Sequence, residues 1–318
     1  MGVALVVASW ARSTAEENIV ADVNLENWYY QIELEPNVMS GGRVRGTSSM
    51  TRKIVSHLNL SDTRCLDIGA QEGLLSVLMA RQGASQVVAY DRLDLRSRLS
   101  LVQKAYDVKI DYFHSIEMHE LKAATASRGL PPFDVVVFAG VLYHMIDPLA
   151  GMAIARSFLR EGGIAVIESS VFVSKDFVMH FNAGGRFYKG SNYFQVSLAC
   201  YDYFARMLRL KPIDMLFTKP SDDGISRVSL VCRAVDHVVA EPEDLWMGKP
   251  FVQSDMGAVG LEYKELTSAA PPVPYTPINP TRQFRGDTDC LDVLGTFHAS
   301  APNRGTRREG QLHLSDHT

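Results

Sequence analysis

The chain has 318 residues, 46% of them hydrophobic and 21% charged, with Lys+Arg 32 set against Asp+Glu 36 for a formal net charge of −4. That composition excludes a disordered or fibrous chain and gives enough apolar material for one large domain with additions. The acidic balance excludes a chain-wide basic surface of the kind that advertises nucleic acid, and no apolar run approaches the length of a membrane span.

In chain order, Ser13-Thr14-Ala15-Glu16 is a capping-box pattern that predicts a helix, followed by Trp28-Tyr29-Tyr30 and a loop at Gly41-Gly42. A second helix is predicted from about Ser48, with Met50, Ile54 and Leu58 at helical spacing. From residue 64 strands and helices alternate regularly. Strand Cys65–Ile68 leads into a turn at Gly69–Gly73 and a helix Glu72–Arg81. Strand Gln86–Asp91 is followed by helix Leu95–Tyr106, strand Lys109–His114 and helix Met118–Ser127. Strand Phe133–Phe138 has a near-continuous apolar core. Asp147-Pro148 opens a helix that runs to Leu159, and Glu161-Gly162-Gly163 turns into strand Ile164–Glu168. Such alternation implies a parallel sheet with helices on both faces.

The pattern then changes. Residues 172–195 form an aromatic, glycine-bearing insertion, followed by helix Ser197–Leu210. Strands Ile213–Thr218 and Arg227–Arg233, joined by Ser221-Asp222-Asp223-Gly224, are predicted to close the sheet as an antiparallel hairpin. The resulting division is an N-terminal helical cover or lid over 1–60, an α/β domain over 61–238 with the insertion as a substrate cap, and an extended C-terminal region over 239–318. Pro271-Pro272-Val273-Pro274 stiffens that last region, and its end is expected to be disordered.

The four cysteines, Cys65, Cys200, Cys232 and Cys290, lack metal spacing, and no His/Asp/Glu cluster has it. Reduced core thiols point to a cytoplasmic protein. Met1 to Val7 is apolar but short and lacks a basic flank, so it does not read as a signal peptide; Val6 does not fit a myristoylation signal at Gly2.

The chemistry starts at Cys65-Leu66-Asp67-Ile68-Gly69-Ala70-Gln71-Glu72-Gly73. Strand, glycine turn, helix and a second strand ending on an acid make a nucleotide-binding βαβ unit. A dinucleotide pyrophosphate needs a helix N-terminus free for anions. Here Gln71 stands where the middle glycine would be, and Asp67 and Glu72 flank the turn. Two carboxylates there would repel a pyrophosphate and suit a cationic ligand with an amino group, such as S-adenosylmethionine. Asp91 is placed to accept hydrogen bonds from a ribose.

Leu66-Asp67-Ile68-Gly69, Asp91, Phe133-Asp134-Val135-Val136-Val137, Gly140-Val141-Leu142-Tyr143-His144 and Leu159-Arg160-Glu161-Gly162-Gly163 together resemble the class I S-adenosylmethionine-dependent methyltransferases over roughly residues 60 to 235. The resemblance implies a Rossmann-like α/β fold with a seven-stranded, mostly parallel sheet ending in an antiparallel hairpin. A narrower resemblance joins Trp28-Tyr29-Tyr30-Gln31-Ile32, Gly41-Gly42, Asp147-Pro148-Leu149 and Ile167-Glu168-Ser169. It is to the branch holding the tRNA wobble-uridine carboxymethyltransferases and related methyltransferases. Those tRNA enzymes carry Gly-Cys-Gly-x-Gly where this chain has Gly69-Ala70-Gln71-Glu72-Gly73.

On this reading Asp67, Gly69, Gln71 and Gly73 hold the methionine end of the cofactor, and Asp91 and Arg92 the ribose. Ser115 and Ile116 meet the adenine, and Gly140 and Val141 lie beneath the sulfonium. His144, whose ordinary pKa lies near neutrality, and Glu168 are the candidate bases. Trp28, Tyr29, Tyr143, Tyr188, Asn192 and Tyr193 are candidate substrate contacts. The expected function is methyl transfer to a small-molecule acceptor, with a homodimer compatible and neither metal nor membrane implied. The alternatives are tRNA wobble-uridine modification and a non-catalytic S-adenosylmethionine-binding module.

Overall fold

The structure is a computed structural model that describes residues 27–44, 48–187, 192–236, 239, 245–246, 249–250 and 270–278. The helix expected from Ser13 lies outside the described residues. What is described of the N-terminal cover is a small hairpin, β1 (Glu33–Glu35) with β2 (Val38–Met39), and one helix, α1 (Ser49–Ser56). The described cover is therefore hairpin plus helix, because Asn37 at φ 67° turns the chain back at Glu35-Pro36.

Next come β3 (Arg64–Ile68), α2 (Leu74–Arg81), β4 (Gln86–Asp91), α3 (Arg96–Tyr106) and β5 (Asp111–His114). They are followed by α4 (Leu121–Ser127), β6 (Phe133–Ala139), α5 (Pro148–Ser157) and β7 (Leu159–Phe172). The insertion contributes β8 (Met179–Phe181) and β9 (Phe194–Ser197), and α6 (Leu198–Met207), β10 (Leu210–Phe217) and β11 (Ile225–Ala234) complete the domain. The sheet order is β10-β11-β7-β6-β3-β4-β5, with β9 added beside the end of β7 and β8 beside β9. Strands β3 to β7 are mutually parallel, while β11 runs antiparallel to both β7 and β10. The sheet is thus mostly parallel and closes in an antiparallel hairpin.

Local chemistry explains the elements. Strand β6 is apolar along nearly all its length because helices cover both of its faces. Asp147 caps α5 by accepting from the Ala150 N–H at 2.9 Å, with Pro148 in the first turn where its missing N–H is harmless. Ser197 caps α6 in the same way through the Cys200 N–H. Strand β7 is longer than its Ile164–Glu168 core. It starts at Leu159, slips register between Phe133 and Val135 of its partner, and runs on to Phe172, where β11 pairs with it.

Strand parity separates two cores. Ala165, Ile167 and Val171 of β7 point toward α5 and α6. Ile164 and Val166 point the other way, into a cluster with Trp28, Ile54, Val55 and Val77. Glu168 shares that second face, so it lies on the side covered by α1 and the N-terminal segment.

The Pro-rich segment is docked rather than free. Val273 is buried in the second core. Its N–H donates to Gly162 O, and its carbonyl accepts from Arg233. Arg160 donates to Pro271 O, and Tyr275 OH and the Ile278 N–H both donate to Asp214 Oδ2 at 2.7 and 2.8 Å. Tyr275 also bridges to Leu58 just after α1.

Candidate active site

Sheet order reverses between β3 and β6, and the turns after both strands meet there, at the carboxyl ends. Gly69 and Gly73 adopt φ +79° and +81°. A Cβ on Gly69 would collide with Val141 Cγ2, and one on Gly73 with Leu99 Cδ1. Both glycines are therefore required by backbone shape and by close approach. Gln71 holds a left-handed φ of 49° without being glycine, and its N–H donates to Asp91 Oδ2 at 2.9 Å. That bond fastens the turn to the end of β4.

Three carboxylates surround this turn, and each is placed differently. Asp91 is buried, and its other oxygen accepts from the Leu93 N–H at 3.0 Å. Burial raises its pKa, and the two N–H donors pull it part of the way back. Asp67 is 1% exposed and accepts from Ser76 Oγ at 2.6 Å. Burial pushes it up to about 6, against the Ser76 hydrogen bond, and Asp91 nearby adds to the rise. Glu72 is 0% exposed. It faces away from the turn's opening, accepting from the Tyr29 N–H at 2.7 Å and the Tyr30 N–H at 3.4 Å and pairing with Arg98 at 3.1 Å. The expectation that Glu72 belongs to an acidic rim for the ligand is corrected: its charge is consumed by Arg98 and by backbone donors of the N-terminal segment.

Among the other expected cofactor residues, Arg92 is exposed beside Asp91. Ser115 has φ 57° and its Oγ lies 3.1 Å from His114 Nδ1. The Ile116 carbonyl accepts from Tyr90 OH. Gly140, at φ 73°, donates its N–H to Glu168 O, and Val141 presses against the turn at Gly69.

Across from the turn stands a polar cluster. Glu168 is buried and is gripped on both oxygens by Arg227, Nε to Oε1 at 2.6 Å and Nη2 to Oε2 at 2.7 Å. Arg227 Nη1 donates to Tyr143 OH at 3.2 Å. Burial raises Glu168, and Arg227 offsets part of that rise. Burial likewise raises Tyr143. A carboxylate held bidentately by a guanidinium is a poor proton acceptor and a good fixed anchor. His144 sits exposed on the next residue, its ring 4.5 Å from that of Tyr143.

The cap residues divide. Tyr193 donates its N–H to Tyr143 O at 2.9 Å and keeps a 40% exposed side chain at the rim. Asn192 is half-buried, with its carbonyl accepting from Asn182 Nδ2. Tyr188 lies outside the described residues. Trp28 is buried in the second core, whereas Tyr29 is 45% exposed. Packing against α1, β3 and their neighbours occupies the Trp28 ring, which removes it from the wall facing a substrate. Tyr30, absent from the expected set, meets the Tyr29 ring edge to face at 4.9 Å, and burial first, then Tyr29, Asp67, Tyr143 and Glu72, raises its hydroxyl.

Arg227 is the main residue that the sequence reading missed. The signal was present in β11. Residues 225, 227, 229, 231 and 233 share a face, and an arginine there in a closing strand needs a buried partner. Its partner follows from register, since Arg227 sits opposite Ser170, two residues from Glu168. No group of three or more His, Cys, Asp or Glu that could hold a metal exists among the described residues.

Comparison with known proteins bears on the family and the fold. Residues 47–197 match the family model described as a methyltransferase domain. A ubiquinone biosynthesis O-methyltransferase from Cereibacter sphaeroides is 34% identical over 132 residues, 40% of this chain and 49% of that protein. A tRNA U34 carboxymethyltransferase from Ectopseudomonas mendocina is 31% identical over 121 residues, 38% of this chain and 36% of that protein. The chain thus spans about half the length, or less, of the curated relatives it matches. Among solved structures, the N-terminal domain of EvdMO1 with SAH bound aligns at TM-score 0.54 and 18% identity, covering 70% of this chain and 98% of that one. That likeness is one of fold.

Proposed function

Residues 47–197 form a class I S-adenosylmethionine-dependent methyltransferase domain, and from that premise we propose that the chain transfers the cofactor's methyl group to a small-molecule acceptor. The observation that carries the reading is the pairing of Gln71 N–H with Asp91 Oδ2 across a turn built from two left-handed glycines. It fixes an acid at the end of β4 beside a concave backbone. Gly69, Gln71 and Gly73 would line the methionine end, Asp91 with Arg92 the ribose, and Ser115 with Ile116 the adenine edge. Asp67 supplies negative charge behind the turn, which favours a sulfonium amino acid over a phosphate ligand.

When bound, the cofactor supplies a methyl carbon already activated by its sulfonium. The chain's part is to position the nucleophile, exclude water and manage one proton. Gly140 and Val141 would floor the site beneath the sulfonium. Tyr143, held by Arg227 and Glu168, presents a fixed hydroxyl to the acceptor. His144 is the group best suited to take a proton, since it is an exposed imidazole, whereas Glu168 is occupied by Arg227. Tyr29, Asn192 and Tyr193 would border the acceptor. The acidic balance of the chain and the aromatic composition of the cap favour a small molecule over tRNA.

The test is calorimetry with S-adenosylhomocysteine. The wild type is expected to bind it, and Asp91→Ala to weaken binding by about tenfold or more through loss of the ribose bonds. No binding by the wild type, or normal binding by Asp91→Ala, would overturn the assignment.

A further inference from the structure

Glu72 has a geometry that the proposed chemistry does not use. It follows Gln71 in the cofactor turn, yet its side chain is buried and turned toward another part of the chain. One carboxylate oxygen accepts the Tyr29 N–H and the other lies 3.4 Å from the Tyr30 N–H. The first oxygen also meets Arg98 Nη1 of α3 at 3.1 Å. Three parts of the chain meet at this carboxylate: the turn after β3, helix α3, and two successive residues of the N-terminal segment. An anion buried at such a junction is retained when every lone pair is satisfied and a cation stands beside it.

What the carboxylate holds is the segment that carries Tyr29 and Tyr30, whose rings meet edge to face with centroids 4.9 Å apart. Burial, and after it Tyr29, Asp67, Tyr143 and Glu72, raise the Tyr30 hydroxyl, in keeping with a place beside the turn. The segment is anchored on its far side as well. Ser40 Oγ donates to Tyr30 O and accepts from the Ile32 N–H, and Tyr106 OH donates to Glu33 O. Gly42 passes so close to Tyr30 that a Cβ there would overlap the Tyr30 carbonyl. The bonds to Glu72, beside the packing of Trp28 in the core that also holds Ala70, tie this segment to the turn that would carry the cofactor.

We propose that Glu72, neutralised by Arg98, is a positioning residue that locks the Tyr29-Tyr30 segment to the cofactor turn, so that occupying the turn closes the wall facing the acceptor. This rests on the methyltransferase reading for the identity of the ligand, but the lock itself is a property of the chain. It belongs to a backbone-directed carboxylate. Glutamine in its place keeps a carbonyl for one N–H and loses both the second acceptor and the ion pair.

The experiment is hydrogen exchange read by mass spectrometry on the full chain, with and without S-adenosylhomocysteine, for wild type, Glu72→Gln and Arg98→Met. In wild type the ligand is expected to slow exchange at residues 28–32. In both variants exchange there should rise by about tenfold or more without ligand, the loss expected when a buried charged hydrogen bond is broken. The ligand-induced slowing should shrink, while β3 and β6 stay protected. Arg98→Met keeps the carboxylate and tests the lock if Glu72→Gln fails to fold. Unchanged exchange at 28–32 in the folded variants, or ligand slowing equal to wild type, would overturn the proposal. A wild type that binds no ligand, with faster exchange in the variants, would leave the lock standing and remove the methyltransferase reading instead.

Discussion

At the scale of single residues, burial decides which acids can act. Asp67 is the clearest case, because its folded pKa near 6 lies above the ordinary value of 3.8. A carboxyl raised on folding adds stability below its unfolded pKa, and that contribution is lost as pH rises through the folded one. The unliganded protein should therefore lose stability through this group between about pH 4 and pH 6. Asp67→Asn should flatten that slope and gain on the order of 1–2 kcal/mol relative to wild type at neutral pH. Thermal melts at several pH values check it, and a variant slope identical to wild type would refute it. The Glu168–Arg227 pair behaves differently. Glu168→Gln leaves a mostly buried guanidinium without its counter-charge and should cost about 3–5 kcal/mol. Glu168→Gln combined with Arg227→Met should recover part of that loss, and denaturant melts of the three variants decide the point.

At the scale of elements, two features depend on segments far apart in sequence. Gly69 can approach Val141 because β3 and β6 are neighbours at the switch point. Gly69→Ala forces an L-residue into φ +79° against that side chain and should cost about 2 kcal/mol or more, with ligand affinity falling in parallel. The docked segment around Val273 is the second feature. Val273 is buried, and Asp214 receives both Tyr275 OH and the Ile278 N–H. Val273→Ala should lower stability by about 1 kcal/mol or somewhat more through lost burial. A melting temperature unchanged by Val273→Ala would show that the segment does not dock in solution. The prolines were legible as a stiff, extended stretch. Their destination was not, because it depends on Gly162, Arg233 and Asp214 coming together at the far end of the sheet.

At the scale of the whole molecule, the net charge of −4 and the absence, among the described residues, of any helix long and apolar enough to cross a membrane bear on what the protein meets. Bulk tRNA is expected to show no salt-sensitive affinity, since the net charge is negative and repels a polyanion. Filter binding from low to moderate salt measures it, and a steep slope would favour nucleic acid as the acceptor. The division into cover, domain and extension is proposed with one refinement. Part of the extension packs against the domain and bridges to α1, so truncation before residue 270 should disturb the cover as well as the tail.

Sequence by itself determined the class of fold and the position of the glycine turn after β3. Strand–helix alternation, the buried apolar run at Phe133–Ala139 and the glycines at 69 and 73 are local consequences of period and backbone freedom, readable one segment at a time. It also named Asp67, Asp91, Gly140 and Tyr143, since strand ends on one side of a parallel sheet converge whatever else the chain does. The tertiary structure alone decided the direction in which each charge points. Glu72 and Glu168 read alike as strand-end or turn acids, yet one takes backbone amides and Arg98 and the other takes Arg227. Those partners come from residues 26 to 59 positions away, and no periodicity encodes such distances; they follow from strand register and helix docking, which only the folded chain sets.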